Sequence, residues 1–474
     1  MELKKKLLSN YIIDSINTSH GEKYSTIIRF LLPELIFAFL LYSLPSLIDS
    51  LFISTLQSTS TYATLGVTNN LLHFMVKIAE AFGVGTLILS GQCNGKADYK
   101  EVGRGLRDAF WVTSIIGSII AAFLYFGAYW VYYFYGMPEE IVALGVPFLK
   151  MRALGVFFMF VYFALIGFLR GIKNTRVPMY IFCIGQLFFL FFDYALIFGR
   201  FGFSPMGLQG SAVATIIQYS VMLVIAACYI AFNKNHRKYY IDLLAPFTDG
   251  LLAWRLIALS IPVMLDKAIM AAAYIWLCKM IGCMGTRGLA TFSAIKDMER
   301  FAFLPAIAAA QVLTILVSND FGAQRWEAIK SNIKKTMFIA SIGVFSILLF
   351  FAIFSSQVAY LFDKKGDFSG LVTYIFPLLS ALAFFDLLQV VLSGALRGAG
   401  NVKTVMLTRF LICFGYFIPL SYLLSQLPIQ NQALKFLLIY GSLYIGNGFM
   451  TYIYINRFRG EQWKMHTHTI KGAL

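Results

Sequence analysis

Charge is what this sequence has least of. Only 13% of its 474 residues are Asp, Glu, Lys or Arg, against 59% hydrophobic, whereas a soluble domain carries roughly 25% charged residues. That share cannot cover a soluble surface of this size, so lipid must be the solvent for much of the exterior. The net charge of +16 does not point to nucleic acid. A basic groove needs Lys and Arg clustered on a soluble face, and here they sit in short loops between apolar runs. The six cysteines include no C-x-x-C pair, and most lie inside apolar runs, where a thiol behaves as a small hydrophobe. No disulfide framework or metal cluster follows from them. There are only five histidines, and no G-x-S-x-G, H-E-x-x-H or Walker A pattern, so an enzyme is not expected and no cofactor is called for. The opening stretch, MELKKKLLSNYIIDSINTSHGEKY, lacks the apolar core of a cleaved export signal and reads as a cytoplasmic lead-in.

Long apolar runs are abundant instead. A membrane helix needs roughly 20 mostly apolar residues, and twelve runs qualify: 27–54, 62–91, 108–135, 140–168, 178–200, 207–232, 251–283, 288–318, 336–362, 371–395, 404–426 and 432–456. Lys and Arg in the intervening loops number about 25 on one side of the membrane and about 5 on the other, a strong positive-inside bias. Both termini are then cytoplasmic, which requires an even number of spans.

The chain also repeats itself. Residues 167–179 read GFLRGIKNTRVPM and residues 394–406 read GALRGAGNVKTVM. Gly167, Leu169, Arg170, Gly171, Asn174 and Met179 recur as Gly394, Leu396, Arg397, Gly398, Asn401 and Met406 at one constant offset, which also carries Gln92 and Gly95 onto Asn319 and Gly322. A single L-R-G is an ordinary way to leave a helix, with Arg snorkelling and Gly ending it. Two at matching places imply two six-span halves, and six being even makes them parallel repeats. The expected architecture is all-α and polytopic, with two six-helix lobes around a central cleft. Its parts are a lead-in at 1–26, lobes at 27–232 and 251–456, a linker at 233–250 and a basic tail at 457–474.

A charge inside a span costs several kcal/mol, by disputed estimates, and persists where it meets a cavity or a partner. Asp49, in YSLPSLIDSLFIS, and Asp193, in LFFLFFDYALIFG, both fall in the outer half of their spans, and Thr215 reaches a similar depth. Pro45, one turn before Asp49, is expected to hinge that helix. Desolvation favours the neutral form of such a carboxyl, which can then trade a proton near neutral pH. The same oxygens would also suit Na⁺, and the residues leave both ions open. A second group is expected to face the cleft: His73, Lys77 and Glu80 on one helical face, then Asp266, Lys267 and Lys279, then Lys296, Asp297, Glu299 and Arg300. The plain alternative for each is a structural salt bridge. Lys296 can share a face with Glu299 and Arg300, but because neighbours one apart point in different directions, the last four are expected not all to pair locally, so that some reach across the cleft or meet solvent. The mixed charge would favour zwitterionic or anionic solutes.

These residues resemble the multidrug and toxic compound extrusion (MATE) transporters over roughly 25–460. The likeness rests on the Pro33 to Asp49 opening, on SGQCNGKADYKE after the second span, and above all on LRGIKNTRVPMYI, DYALIFG and GLQGSAVAT within 169–215. GALRGAGN and FFDLLQVVLSG add to it in the second half. The resemblance implies that Asp49, Asp193 and Thr215 match the cation site of the DinF-like branch, and Asp386 an acidic position of the NorM-like branch. Departures are Phe189 where the family often has Asn, Pro45-Ser46 where it has Tyr-Asn, and no Glu at the usual distance from Pro262. Loss of a ligand at Phe189 favours protons over Na⁺. The resemblance implies a monomeric, cation-coupled antiporter of the bacterial cytoplasmic membrane, exporting small organic solutes or drugs by alternating access. A lipid or lipid-linked glycan flippase is the alternative, and a membrane-embedded enzyme is the third choice.

Overall fold

The computed structural model describes residues 20–42, 44–55, 58–243, 245, 250–363, 366–460 and 463–464. Every regular element among them is helical, and twelve helices are long and apolar enough to cross a membrane. The elements are α1 (Tyr24–Tyr42), α2 (Leu44–Ser54), α3 (Thr59–Gly95), α4 (Tyr99–Phe126), α5 (Ala128–Phe134), α6 (Glu139–Gly171), α7 (Arg176–Phe198), α8 (Leu208–Phe232), α9 (Gly250–Gly282), α10 (Gly285–Ala302), α11 (Leu304–Gly322), α12 (Trp326–Ile353), α13 (Ser355–Phe362), α14 (Ser369–Gly398), α15 (Val402–Ile412), α16 (Ile418–Gln426) and α17 (Gln432–Arg459).

Several boundaries differ from the sequence expectation, each for a local reason. The third and ninth spans begin about nine residues early, at Tyr99 and Trp326, because their basic leading segments are helical too. Asp98 caps α4 by accepting the Glu101 N–H at 3.1 Å, as N-cap carboxylates do. Both spans then end in short helices, α5 and α13. The eighth span breaks at Phe303, with Pro305 at the start of α11; Pro has no N–H to give a continuing helix. A π turn at Cys413–Phe417 joins α15 to α16, just before Pro419, whose missing N–H interrupts the regular ladder. The first span is described as α1 and α2. Ser43 between them lies outside the described residues, as do the side-chain surroundings of Pro45, the expected hinge.

The repeat is visible in the elements. Shifting α4 and α5 by the 227 residues that separate Gly167 from Gly394 places them on α12 and α13. The glycines that stand two residues before each LRG have a packing reason. A Cβ at Gly167 would overlap the Gly83 carbonyl of α3, and one at Gly394 would overlap the Ala310 carbonyl of α11. Small residues at such points let helix backbones approach closely. The left-handed residue comes two positions after each LRG, at Lys173 (φ 63) and Gly400 (φ 79).

The described helices form two compact units. Ile36–Met264 make one, and the residues up to Leu35 join those from Leu265 onward in the other. The division falls inside α1 and α9, not in the 233–250 stretch. Along α1, Ile27 and Leu31 enter one core and Phe37 the other; along α9, Leu252 and Leu256 enter one, Leu277 and Ile281 the other. In the Ile36–Met264 unit, α3, α4 and α8 pack around α6, and α7 packs on α8; in the other, α11, α12 and α17 pack around α14.

Candidate functional site

Two buried polar centres stand out, one in each unit. In the Ile36–Met264 unit, Asp49 of α2 meets Arg152 of α6 with Nη2 to Oδ2 at 3.0 Å. Ser211 of α8 donates to the other Asp49 oxygen at 2.5 Å and accepts from Arg152 at 3.2 Å. Thr215, one turn further on, accepts from Arg152 Nη1. Ser211 and Thr215 share a face because they are four apart on a helix. Gly210 permits their approach to α7, since a Cβ there would sit 2.8 Å from the Leu196 backbone. Asp193 of α7 is fully buried, and among the described residues neither of its carboxylate oxygens has a hydrogen-bond partner. Asp49, Arg152 and Ser211 lie within interaction range of it. Beside this group is a cavity of about 110 Å³ lined by Asp49, Arg152 and Thr215, with His73 and Lys77 of α3 on its wall.

The structure thus brings Asp49, Asp193 and Thr215 together, and places His73 and Lys77 with them. Glu80 is buried on the same helix as the latter two but does not line the cavity. The sequence reading had no candidate in the fourth span. Arg152 carries a signal like that of Asp49, a charge in an apolar stretch (PFLKMRALGVFFMF), although Lys150 stands two residues before it.

In the other unit, Asp266 of α9 is buried and held by Arg409 of α15 and by Arg397 of α14, the latter at 2.6 Å. It is the partner of two guanidiniums, the salt-bridge alternative that its position in a span also allowed. Arg397, two residues beyond the expected end of the tenth span at 395, belongs to helix α14. Glu299 of α10 is buried and accepts from the hydroxyls of Tyr440 and Tyr444. Asp386 of α14 accepts from Asn447 at 2.9 Å, so it belongs to a different centre from Asp49. Arg300 pairs with Asp297 at 3.5 Å, one turn back. Lys296 lies over the Tyr274 ring at 5.5 Å, and Lys279 over Trp276 at 5.5 Å. Of the four charges of α10, Asp297 and Arg300 pair with each other. Lys267 is half-buried on α9 and has a partner of its own.

Twelve helices long and apolar enough to cross a membrane, with acids buried inside each unit, define a polytopic membrane protein. The sequence model of the MatE family matches residues 35–195 and 262–423, and the chain belongs to that family. It is 22% identical over 369 residues to a "Probable multidrug resistance protein YoeA" of Bacillus subtilis, covering 75% of this chain and 77% of that one. It is 21% identical over 365 residues to a "Probable multidrug resistance protein NorM" of Thermotoga maritima, covering 76% and 77%. Among solved structures, MATE in the straight conformation matches with a TM-score of 0.83 at 19% identity, covering 95% of this chain and 97% of that one. A MOP superfamily transporter from Pyrococcus furiosus, described as having a binding pocket of reverse polarity, matches with a TM-score of 0.82 at 18% identity, covering 95% and 97%.

Proposed function

We propose that this MatE-family transporter exports small organic solutes across the bacterial cytoplasmic membrane by alternating access, in exchange for protons taken up at the site that Asp49 and Asp193 share. The observation that carries this reading is Asp193: a fully buried carboxyl, both oxygens without a hydrogen-bond partner among the described residues, beside the Asp49–Arg152 pair. A bare carboxylate is costly in that setting, and taking up a proton removes the cost. Releasing the proton restores a negative charge behind the Asp49–Arg152 pair, whose two members line the cavity, and that charge draws the positive end of a solute toward them. Proton and solute then compete for the same charge, which is what exchange requires. The multidrug resistance names of the relatives support export of small organic molecules, and the loop charges support cytoplasmic termini. No bound cofactor enters this reading.

The test is transport in proteoliposomes under an imposed pH gradient, read with a panel of labelled organic cations, zwitterions and anions. Wild type should show gradient-driven movement of at least one solute. Asp193→Asn should keep the fold, since Asn is nearly isosteric and uncharged, and lose the dependence on the gradient. Wild-type gradient dependence in that variant refutes the assignment.

A further inference from the structure

The oxygens gathered in the Asp49 pocket form a set that a hard cation would accept as ligands: the Asp49 carboxylate and the hydroxyls of Ser211 and Thr215. All three already receive N–H groups from one side chain. Arg152 Nη2 donates to Asp49 at 3.0 Å and to Ser211 at 3.2 Å, and Nη1 donates to Thr215. The guanidinium is buried, 6% exposed, and the Phe148 ring lies 5.1 Å from its centre, a placement that favours a cation. An Arg side chain stays charged in proteins and offers its donors in a rigid fork. A positive charge is therefore covalently fixed where a monovalent metal ion would have to sit. The residues present do not fit Na⁺.

We propose that Arg152 is a tethered cation that takes the place of Na⁺ in this pocket and restricts coupling to protons. The proposal rests on the reading that Asp49 and Asp193 form the coupling site, and it adds the residue that sets the ion. With Asp49 held by Arg152, Asp193 is the carboxyl left to exchange a proton. Of the other titratable groups around the guanidinium, Tyr219 stands on α8, and His73 and Lys77 stand on α3 across the cavity. None of the three supplies the negative charge a metal ion needs. A second unit charge placed about 4 Å from the guanidinium at an effective dielectric near 20 is disfavoured by roughly a thousandfold.

The experiment measures binding of radioactive Na⁺ to the purified full chain in nanodiscs, with choline replacing Na⁺ in controls, and follows thermal unfolding in the same titrations. Wild type should show no saturable binding. Arg152→Gln and Arg152→Met remove the charge at two side-chain shapes. Each variant that folds should gain a saturable Na⁺ site at least about a hundredfold tighter than any wild-type binding. That gained site should disappear when Asp49→Asn is added. Arg152→Lys, which keeps the charge, should stay blind to Na⁺. Saturable Asp49-dependent binding in wild type overturns the proposal, whatever the variants do. So does a folded neutral variant that still binds none. Absence of gradient-driven transport in wild type would instead sink the coupling reading, and the binding result would stand apart from it.

Discussion

Asp266 on α9 is buried between two guanidiniums, Arg409 on α15 and Arg397 on α14, and so ties three helices of one unit with a single carboxylate. Arg409 is buried and Arg397 is more open to its surroundings. Removing the acid leaves two positive charges facing each other without their shared carboxylate. Breaking a buried pair from one side typically costs about 3–5 kcal/mol. Asp266→Ala should therefore unfold at markedly lower temperature in detergent, and Arg397→Ala should do less harm. An unchanged midpoint for Asp266→Ala would show that the triad carries no stability.

Gly394 is required by its neighbour. A Cβ there would overlap the Ala310 carbonyl and approach its Cα at 2.8 Å, and a backbone cannot give way as a side chain can. Gly394→Ala should cost about 1–3 kcal/mol, as overpacking of a core does. Gly370, on the same helix, has open space within 4 Å of where an added methyl would stand. Gly370→Ala should be neutral or stabilising by up to about 1 kcal/mol. Thermal melts of the two variants side by side decide whether close helix approach explains the repeated glycine.

Lys77 and Arg300 should differ in their effect on solute preference. Lys77 lines the cavity that also holds Arg152 and Asp49, whereas Arg300 is half exposed and paired with Asp297. Lys77→Ala should shift the order of transported solutes away from anions and zwitterions by roughly tenfold, about 1.4 kcal/mol. Arg300→Ala should leave the order unchanged. The same labelled panel in proteoliposomes measures both. A change with Arg300 and none with Lys77 would move the solute site away from this cavity.

Asp363 lies between spans and organises the chain entering α14. Its oxygens accept the N–H groups of Gly366 at 2.9 Å and of Phe368 and Ser369 at 2.7 Å each. Burial pushes its carboxyl up, but these backbone donors prevail and hold it at about 2, below the ordinary 3.8. A folded-state value below the unfolded one stabilises the ionised form. The contribution is complete above the ordinary value and fades as pH falls toward about 2. Asp363→Ala should speed hydrogen exchange at Gly366, Phe368 and Ser369 at neutral pH, and the wild-type protection should weaken only in strong acid. Equal exchange in the two proteins would remove the capping role.

The sequence alone determined the twelve spans, the duplication and the separate candidacy of Asp49, Asp193 and Thr215. It did so because lipid imposes a length and a polarity on every helix, and a charge that violates them stands out in one dimension. Arg152 was legible by the same rule, as a charge inside an apolar stretch, though with Lys150 two residues before it. Its partners were not, because pairing depends on which helix faces which. Only the tertiary structure decided that Arg152 takes Asp49, Ser211 and Thr215, while both Asp193 oxygens stay without a hydrogen-bond partner among the described residues. Only it assigned Asp266 to Arg397 and Arg409, and Glu299 to two tyrosines. Spacing along one helix predicts neighbours on that helix, as for Asp297 and Arg300. A contact between residues far apart in the chain is set by packing, through the glycines and small residues that let particular helix faces meet.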